Sequence, residues 1–303
     1  MPARTTFFSR HREGGSYEYF DLPRHPGSIF FVGSTHAAAA DNTGCGRTPD
    51  QPFATITYAL AQCTASAGDV IYLLPGHVSL VAAAAGLVFN VAGVSVIGCG
   101  NGTIQPIIRF TTGIGADMDI LCPVTFENIN FQAGFADVTA AIDIDSTDVT
   151  FRRCRFSQQA VDLNCVRWIA LPADTTASRL TIEDCRMIAY DAVNDAFIDY
   201  TDTGDGHIFR RNTLLGDWDV AAVGGAGIIT NAIVCDNDMY NYSNTVDGCI
   251  SFAATATGVC MNNYVGSLAA QANQILATGM AKCENFGAVV AEDLQGLAEP
   301  ARA

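Results

Sequence analysis

Three aspartates have the side-chain type and spacing that acid–base chemistry requires. Asp143 and Asp145 alternate with Ile142 and Ile144, so a strand here turns both carboxylates to one face and both isoleucines to the other. Asp199 follows Ile198 in a similar run, with Asp195 and Asp202 close by. Cleavage of a glycosidic bond uses two carboxylates on one face, one as acid and the other as base or nucleophile. A solvated strand face of an acidic chain looks the same, and at a net charge of −15 that plainer reading is preferred. If the chain is an enzyme, Asp143, Asp145 and Asp199 are its catalytic candidates.

Arg152, Arg153 and Arg155 share one segment, and Arg186, Arg210 and Arg211 recur later. A lyase would set an arginine or lysine base beside carboxylates that hold calcium, but the alternating-Asp pattern of a calcium loop is missing. Alternation with Phe151, Cys154 and Phe156 instead makes these arginines exposed strand residues. Stacking would place Glu127 under Arg152 and Arg152 under Glu183, as ion pairs of small individual value. His77 follows a turn, His207 opens a strand and His36 lies in a loop, and no Ser or Cys stands in a nucleophile-elbow context. The eleven cysteines include no Cys-x-x-Cys pair and no zinc spacing, so reduced, buried thiols are expected. The residues call for no cofactor and no metal.

These side chains need a scaffold, and composition says it is well packed: 49% of residues are hydrophobic and 16% charged, far from the profile of a disordered chain. The acidic body, with Lys282 as its one lysine, argues against nucleic-acid binding. The apolar stretch Leu80 to Ile97 is broken by Gly86, Asn90, Gly93 and Ser95, so a membrane span is not expected. The first residues lack a secretory pattern, which points to synthesis and assembly in a cytoplasm. Residues 1–28 mix Arg4, Phe7, Phe8, Arg10, Arg12, Tyr17, Tyr19 and Phe20 without a helix or strand period. Aromatic and arginine side chains dominate interface energies, so this arm is expected to dock on a partner or to fold back on its own body.

Internal repetition organises the rest. Val124–Phe131, Val149–Phe156, Leu180–Met187 and His207–Leu214 share one pattern, and weaker copies follow at Ile233–Met239, Val259–Tyr264 and Lys282–Phe286. Taking Phe126, Phe151, Ile182, Phe209, Cys235, Cys260 and Cys283 as the inward residues gives steps of 25, 31, 27, 26, 25 and 23, with Val96 and Ile71 upstream. A period near 25 is one coil of a parallel β-helix. Nine coils at a strand spacing of about 4.8 Å make a body roughly 43 Å long. A further strand-like run lies between copies, for example Ala141–Ile144, Val166–Ile169 and Ala196–Asp199, so each coil carries at least two strands. Three positions after each inward residue stand Ile129, Cys154, Cys185, Asn212, Asp238, Asn263 and Phe286, and Asn128, Asn237, Asn262 and Asn285 precede that position. Small thiols suit a crowded interior, and asparagines at bends can ladder their amides from coil to coil.

A stack of coils needs a cap over its first open end. In Pro52–Cys63, the residues Phe53, Ile56, Leu60 and Cys63 fall on one helical face, and Gly68-Asp69 closes the segment. The run Pro52-Phe-x-Thr-Ile, then Ala59-Leu60, then Gly68-Asp-Val-Ile-Tyr-Leu-Leu-Pro-Gly-His77 resembles the entry segment of pectate-lyase-like right-handed β-helix proteins. Val91-Ala-Gly-Val-Ser-Val-Ile-Gly-Cys-Gly-Asn-Gly102 and Pro106 to Phe110 resemble a group of phage-encoded β-helix virion proteins, and the likeness extends from about residue 28 to residue 290.

The resemblance implies an all-β, right-handed, single-stranded parallel β-helix with an N-terminal capping helix. It divides the chain into an arm at 1–28, entry segment and cap at 29–66, β-helix at 67–290 and tail at 291–303. It further implies a bacteriophage capsid decoration or cement protein, a homotrimer bound to the major capsid protein on the outside of the virion. The alternative is a tail-associated polysaccharide depolymerase, lyase or carbohydrate-binding tailspike. The superfamily's functions diverge too widely for fold to decide between them.

Overall fold

The computed structural model describes residues 27–172, 177–188, 194–242, 248–267 and 274–289, together with the short strands Arg10–His11, Tyr17–Glu18 and Gln295–Leu297. Three parallel sheets run the length of the body. In each of them the strand order follows the chain order, which is what a coil stacked on itself produces. The first sheet begins with Ile29–Val32, Val70–Leu73, Val94–Gly98, Val124–Glu127 and Thr150–Arg152, and it continues through Thr181–Glu183, Ile208–Arg210, Ala232–Cys235 and Gly258–Met261 to Ala281–Cys283. The second holds Asn130–Ala133, Arg155–Gln158, Arg186–Ile188, Thr213–Gly216 and their equivalents from Val78–Val81 to Phe286–Val289. The third holds Leu87–Phe89, Met118–Ile120, Val138–Ile144, Cys165–Leu171, Asn194–Tyr200, Trp218–Gly225, Ile250–Phe252 and Ile275–Leu276.

Each complete coil thus carries three strands, one above the minimum read from the sequence. The repeat segments are themselves bent: Val124–Glu127 lies in the first sheet and Asn130–Ala133 in the second. The bend is made by one residue in the left-handed region, and it recurs at Asn128, Arg153, Asp184, Arg211, Asp236, Asn262 and Glu284 with φ between 52° and 58°. Asn and Asp tolerate this backbone best, and the sharp corner it makes turns the next side chain straight into the core. Ile129, Cys154, Cys185, Asn212, Asn237, Asn263 and Asn285 are those next residues, and all are buried.

The register joins Ile71, Val96, Phe126, Phe151, Ile182 and Phe209 in one inward column, as expected. Above Phe209 Cys260 is inward as expected, but Cys235 and Cys283 are each off by one residue. Phe209 pairs with Val234, Val234 with Cys260 and Cys260 with Lys282, so Cys235 and Cys283 face outward. Cys283 is exposed, against the expectation of buried thiols. Asp238 and Phe286 accordingly leave the corner position and become exposed starts of second-sheet strands, while Asn237 and Asn285 take their places. Ile233-Val-Cys235 is apolar at every position, so hydropathy cannot choose between the two registers there. The hydrogen-bonding needs of the asparagines do.

Aromatic rings fill the middle of the column. Phe126 stacks on Phe151 at 5.1 Å and Phe131 on Phe156 at 5.2 Å, one coil apart in each case. Fully burying such a ring contributes about 2–3 kcal/mol from area alone, and stacked pairs add about 1 kcal/mol.

The stack is capped at its start, and one of its three sheets is covered at its end. Ile56–Gln62 is a helix whose Ile56, Ala59 and Leu60 are buried in the core of the first coils, and Thr55 caps it by accepting from the Tyr58 amide. Asp41 fixes the approach by accepting from the Ala54 and Thr55 amides and from the Thr55 hydroxyl. The stack starts before residue 67, because Ile29–Val32 already pairs in parallel with Val70–Leu73. At the far end Gln295–Leu297 pairs antiparallel with Phe286–Val289 and so covers the last edge of the second sheet.

Candidate functional site

The third sheet turns an acidic face outward. Its register stacks Asp119 under Asp143, Asp143 under Ala170 and Ala170 under Asp199. Asp143 and Asp199 therefore share a face, as their alternation with isoleucines required, but they stand two coils apart, about 10 Å. Asp145 lies just past the strand end and is exposed. The structure brings Asp143 together with two residues that the sequence reading passed over: the carboxylate oxygens of Asp117, Asp119 and Asp143 lie within 4.8 Å of one another. The signal was present, since Met118-Asp119-Ile120 repeats Ile142-Asp143-Ile144 one coil earlier.

Crowded carboxylates resist ionisation. Burial, then the charges of Asp117, Asp119 and Asp145, push Asp143 up to about 6, against a partial pull downward from Arg167. Asp119 is raised by burial and by Asp117 and Asp145, and Asp145 by burial. Asp199 is raised by burial, although Arg167 holds it at 3.1 Å and pulls the other way. Such a group offers two kinds of chemistry. A carboxyl titrating near 6 can donate a proton at neutral pH, and three carboxylates at this separation can share a hard divalent cation.

Outside this face several ionised side chains are engaged with one another. Glu183 is only 3% exposed and receives Arg152 at 2.7 Å, Arg210 at 2.6 Å and Arg211 at 3.0 Å. Burial works to raise its pKa and is outweighed by these hydrogen bonds, so its carboxyl sits below the usual range. Arg152 is above Glu127 in register as expected, yet Glu127 is bonded by Arg153, which the left-handed corner swings back over it. Arg179 pairs with Asp148 at 2.6 Å, and Arg211 with Asp184 at 2.7 Å. Arg155 and Arg186 are exposed and directly stacked, and they pair with no described acidic residue.

His77 and His207 are structural. His77 Nδ1 accepts from the Ser34 amide and His207 Nδ1 from the Leu180 amide, and burial drives both pKa values down to about 4. His207 Nε2 fills the space where a Cβ on Gly204 would come within 2.1 Å. A shallow cavity of about 340 Å³ beside it is lined by Ser178, Thr203, Gly204, Asp205, Ile228 and Thr230, and holds none of the candidate aspartates. In the arm, Arg10–His11 pairs antiparallel with Tyr17–Glu18, a short ladder that the sequence did not announce. Arg4, Phe7, Phe8, Arg12, Tyr19 and Phe20 lie outside the described residues. Among the described residues no helix is long and apolar enough to cross a membrane.

The fold is a right-handed parallel β-helix. A lacto-N-biosidase from Eubacterium ramulus is similar over 84% of this chain and 57% of its own, at 12% identity and a TM-score of 0.52. A pectin methylesterase from Aspergillus niger is similar over 84% of this chain and 88% of its own, at 14% identity and a TM-score of 0.49. A rhamnogalacturonan lyase covers 86% of this chain and 87% of its own, at 13% identity and a TM-score of 0.47. No protein-family model matches the chain, and no curated protein matches it in sequence. At these identities the likeness is one of fold.

Proposed function

We propose that this chain is a structural protein of a bacteriophage particle, a decoration or cement protein bound to the major capsid protein on the capsid exterior as a homotrimer assembled in the host cytoplasm. The supporting observation is how the polar side chains are used. Glu183 with Arg152, Arg210 and Arg211, Asp148 with Arg179, Asp184 with Arg211, and Asp199 with Arg167 each bind one coil to another. A protein built to persist outside the cell gains from such cross-coil bonding, and its acidic surface favours solubility. The residues 91–102 and 106–110, which resemble phage-encoded β-helix proteins, supply the viral part of the reading. Mass-spectrometric stoichiometry of purified particles tests it: tens to hundreds of copies per particle are expected, and a few copies or none would reject it.

A second reading, a carbohydrate-active β-helix, is favoured by Asp143, whose carboxyl titrates near neutrality beside Asp119. On that reading the acidic face grips or cleaves a glycan, with Asp143 as proton donor. Release of reducing ends or unsaturated products from host polysaccharide, lost in Asp143→Ala, would establish it. No release across a panel of host polysaccharides would remove the catalytic form.

A further inference from the structure

Arg155 and Arg186 begin consecutive strands of the second sheet and are paired residue to residue, so two exposed guanidinium groups stand one above the other. Like charges placed directly opposite are destabilising. Their neighbours show that the fold can avoid this, because Arg152, Glu183 and Arg210 alternate in sign up the adjoining column of the first sheet. The cations of that column are satisfied by Glu183, Asp184 and Glu127, which leaves Arg155 and Arg186 in surplus. The third sheet carries the opposite defect: Asp119 and Asp143 are paired residue to residue, and neither has an ion pair with a described residue.

Both defects have the same geometry, two like charges separated by one coil. Each could be cancelled by the other, though not within one molecule, because they lie on different sheets of a rigid body. We infer that these stacks are the two halves of one interface between copies of this chain, the arginine pair of one copy seated on the aspartate pair of the next. The inference rests on the multi-copy reading given above and names the surface that unites the copies. The contact is heterologous, so it closes only as a ring about a common axis. Asp143 lies in the coil below Arg155, and the centres of the two stacks are offset by two coils, about 10 Å along the column. The copies are therefore inclined to the ring axis rather than parallel to it. Docking also buries each pair beside opposite charge, where the attraction is strongest.

The test is the mass of the full chain in solution by sedimentation and light scattering across a salt series. The expected result is an oligomer at low salt that dissociates as salt rises. Arg155→Gln with Arg186→Gln should weaken association at least tenfold, and Arg155→Asp with Arg186→Asp should leave a monomer. Adding Asp119→Arg and Asp143→Arg to that monomer exchanges the two stacks and should restore the oligomer. Circular dichroism with a β-sheet spectrum shows that each variant has folded. A wild-type chain that is monomeric at low salt, an oligomer indifferent to the glutamine variants, or an oligomer dissolved by EDTA would each overturn the inference. A salt-labile oligomer missing from particles would instead reject the virion reading alone, and particle-bound protein with an unaltered oligomer in the arginine variants would reject this interface alone.

Discussion

Asn237 is held between Asn212 below and Asn263 above: its Oδ1 accepts from Asn212 Nδ2 at 3.1 Å and its Nδ2 donates to Asn263 Oδ1 at 2.8 Å. The same oxygen accepts the Asn212 backbone amide at 2.9 Å, and the same Nδ2 donates to the Phe209 carbonyl at 3.1 Å. The series runs on to Asn285 and is met from below by the Cys185 amide on Asn212 Oδ1.

A buried amide with every polar atom engaged cannot be removed cheaply. Asn237→Ala leaves the Asn212 donors and the Phe209 carbonyl unmatched and should cost about 2–4 kcal/mol. Asn237→Asp should be worse, since a carboxylate oxygen would then face that carbonyl. Urea titrations followed by tryptophan fluorescence give both values, and a loss below about 0.5 kcal/mol would refute the ladder as a source of stability.

The corrected register is open to a direct trial. Val234→Asp puts an unpaired charge into the inward column and should abolish folding at 37 °C or lower stability by more than about 4 kcal/mol. Cys235→Ser, on the outward side, should cost less than about 1 kcal/mol. The reverse order would restore Cys235 to the core.

Acid should weaken the fold through its histidines. His77 and His207 titrate near 4 when folded and near 6.5 when unfolded, so between those values the unfolded chain binds more protons. Their contribution is full above pH 6.5 and is lost as the pH falls toward 4, on the order of 3 kcal/mol for each. The double variant His77→Gln and His207→Gln should flatten unfolding free energy between pH 4.5 and 6.5, and an unchanged slope would refute this assignment.

Asp143 works in the opposite direction. Its carboxyl is raised from 3.8 to about 6, so the folded chain binds the extra proton; the benefit is present below 3.8 and lost as the pH rises through 6. Asp143→Asn should therefore stabilise the protein above pH 6, by about 1–2 kcal/mol after allowance for solvent screening. If Asp117, Asp119 and Asp143 share a divalent cation, calcium should raise the melting temperature of the wild type and not of Asp143→Asn. Calorimetry at pH 5 and pH 8 with and without calcium reads both effects.

The coil architecture was legible because one period of about 25 residues recurs and its aromatic members are unambiguous: Phe126 and Phe151 could face only inward. Legibility ended where the pattern lost contrast. At Ile233-Val-Cys235 both faces are apolar, and the register is decided by Asn237, whose partners lie a full coil away in each direction. The acidic face was half seen for a related reason. Asp143 was found by its alternation with isoleucines, but Asp117 and Asp119 join it only through the coil spacing, which depends on loop lengths that no local pattern fixes. The exchange of partners at Glu127, from Arg152 to Arg153, follows from a backbone angle that was invisible until the corner was known.

The inward column also has a gradient. It passes from Phe126 and Phe151 through Ile182 and Phe209 to Val234, Cys260 and Lys282, so its aromatic rings end at Phe209 and no layer beyond adds another. In a solenoid each layer is held only by the two beside it. Unravelling is therefore directional: heat or tension peels the molecule from its C-terminal layers, and the aromatic middle, with the helix-capped coils beneath it, is the last part to let go.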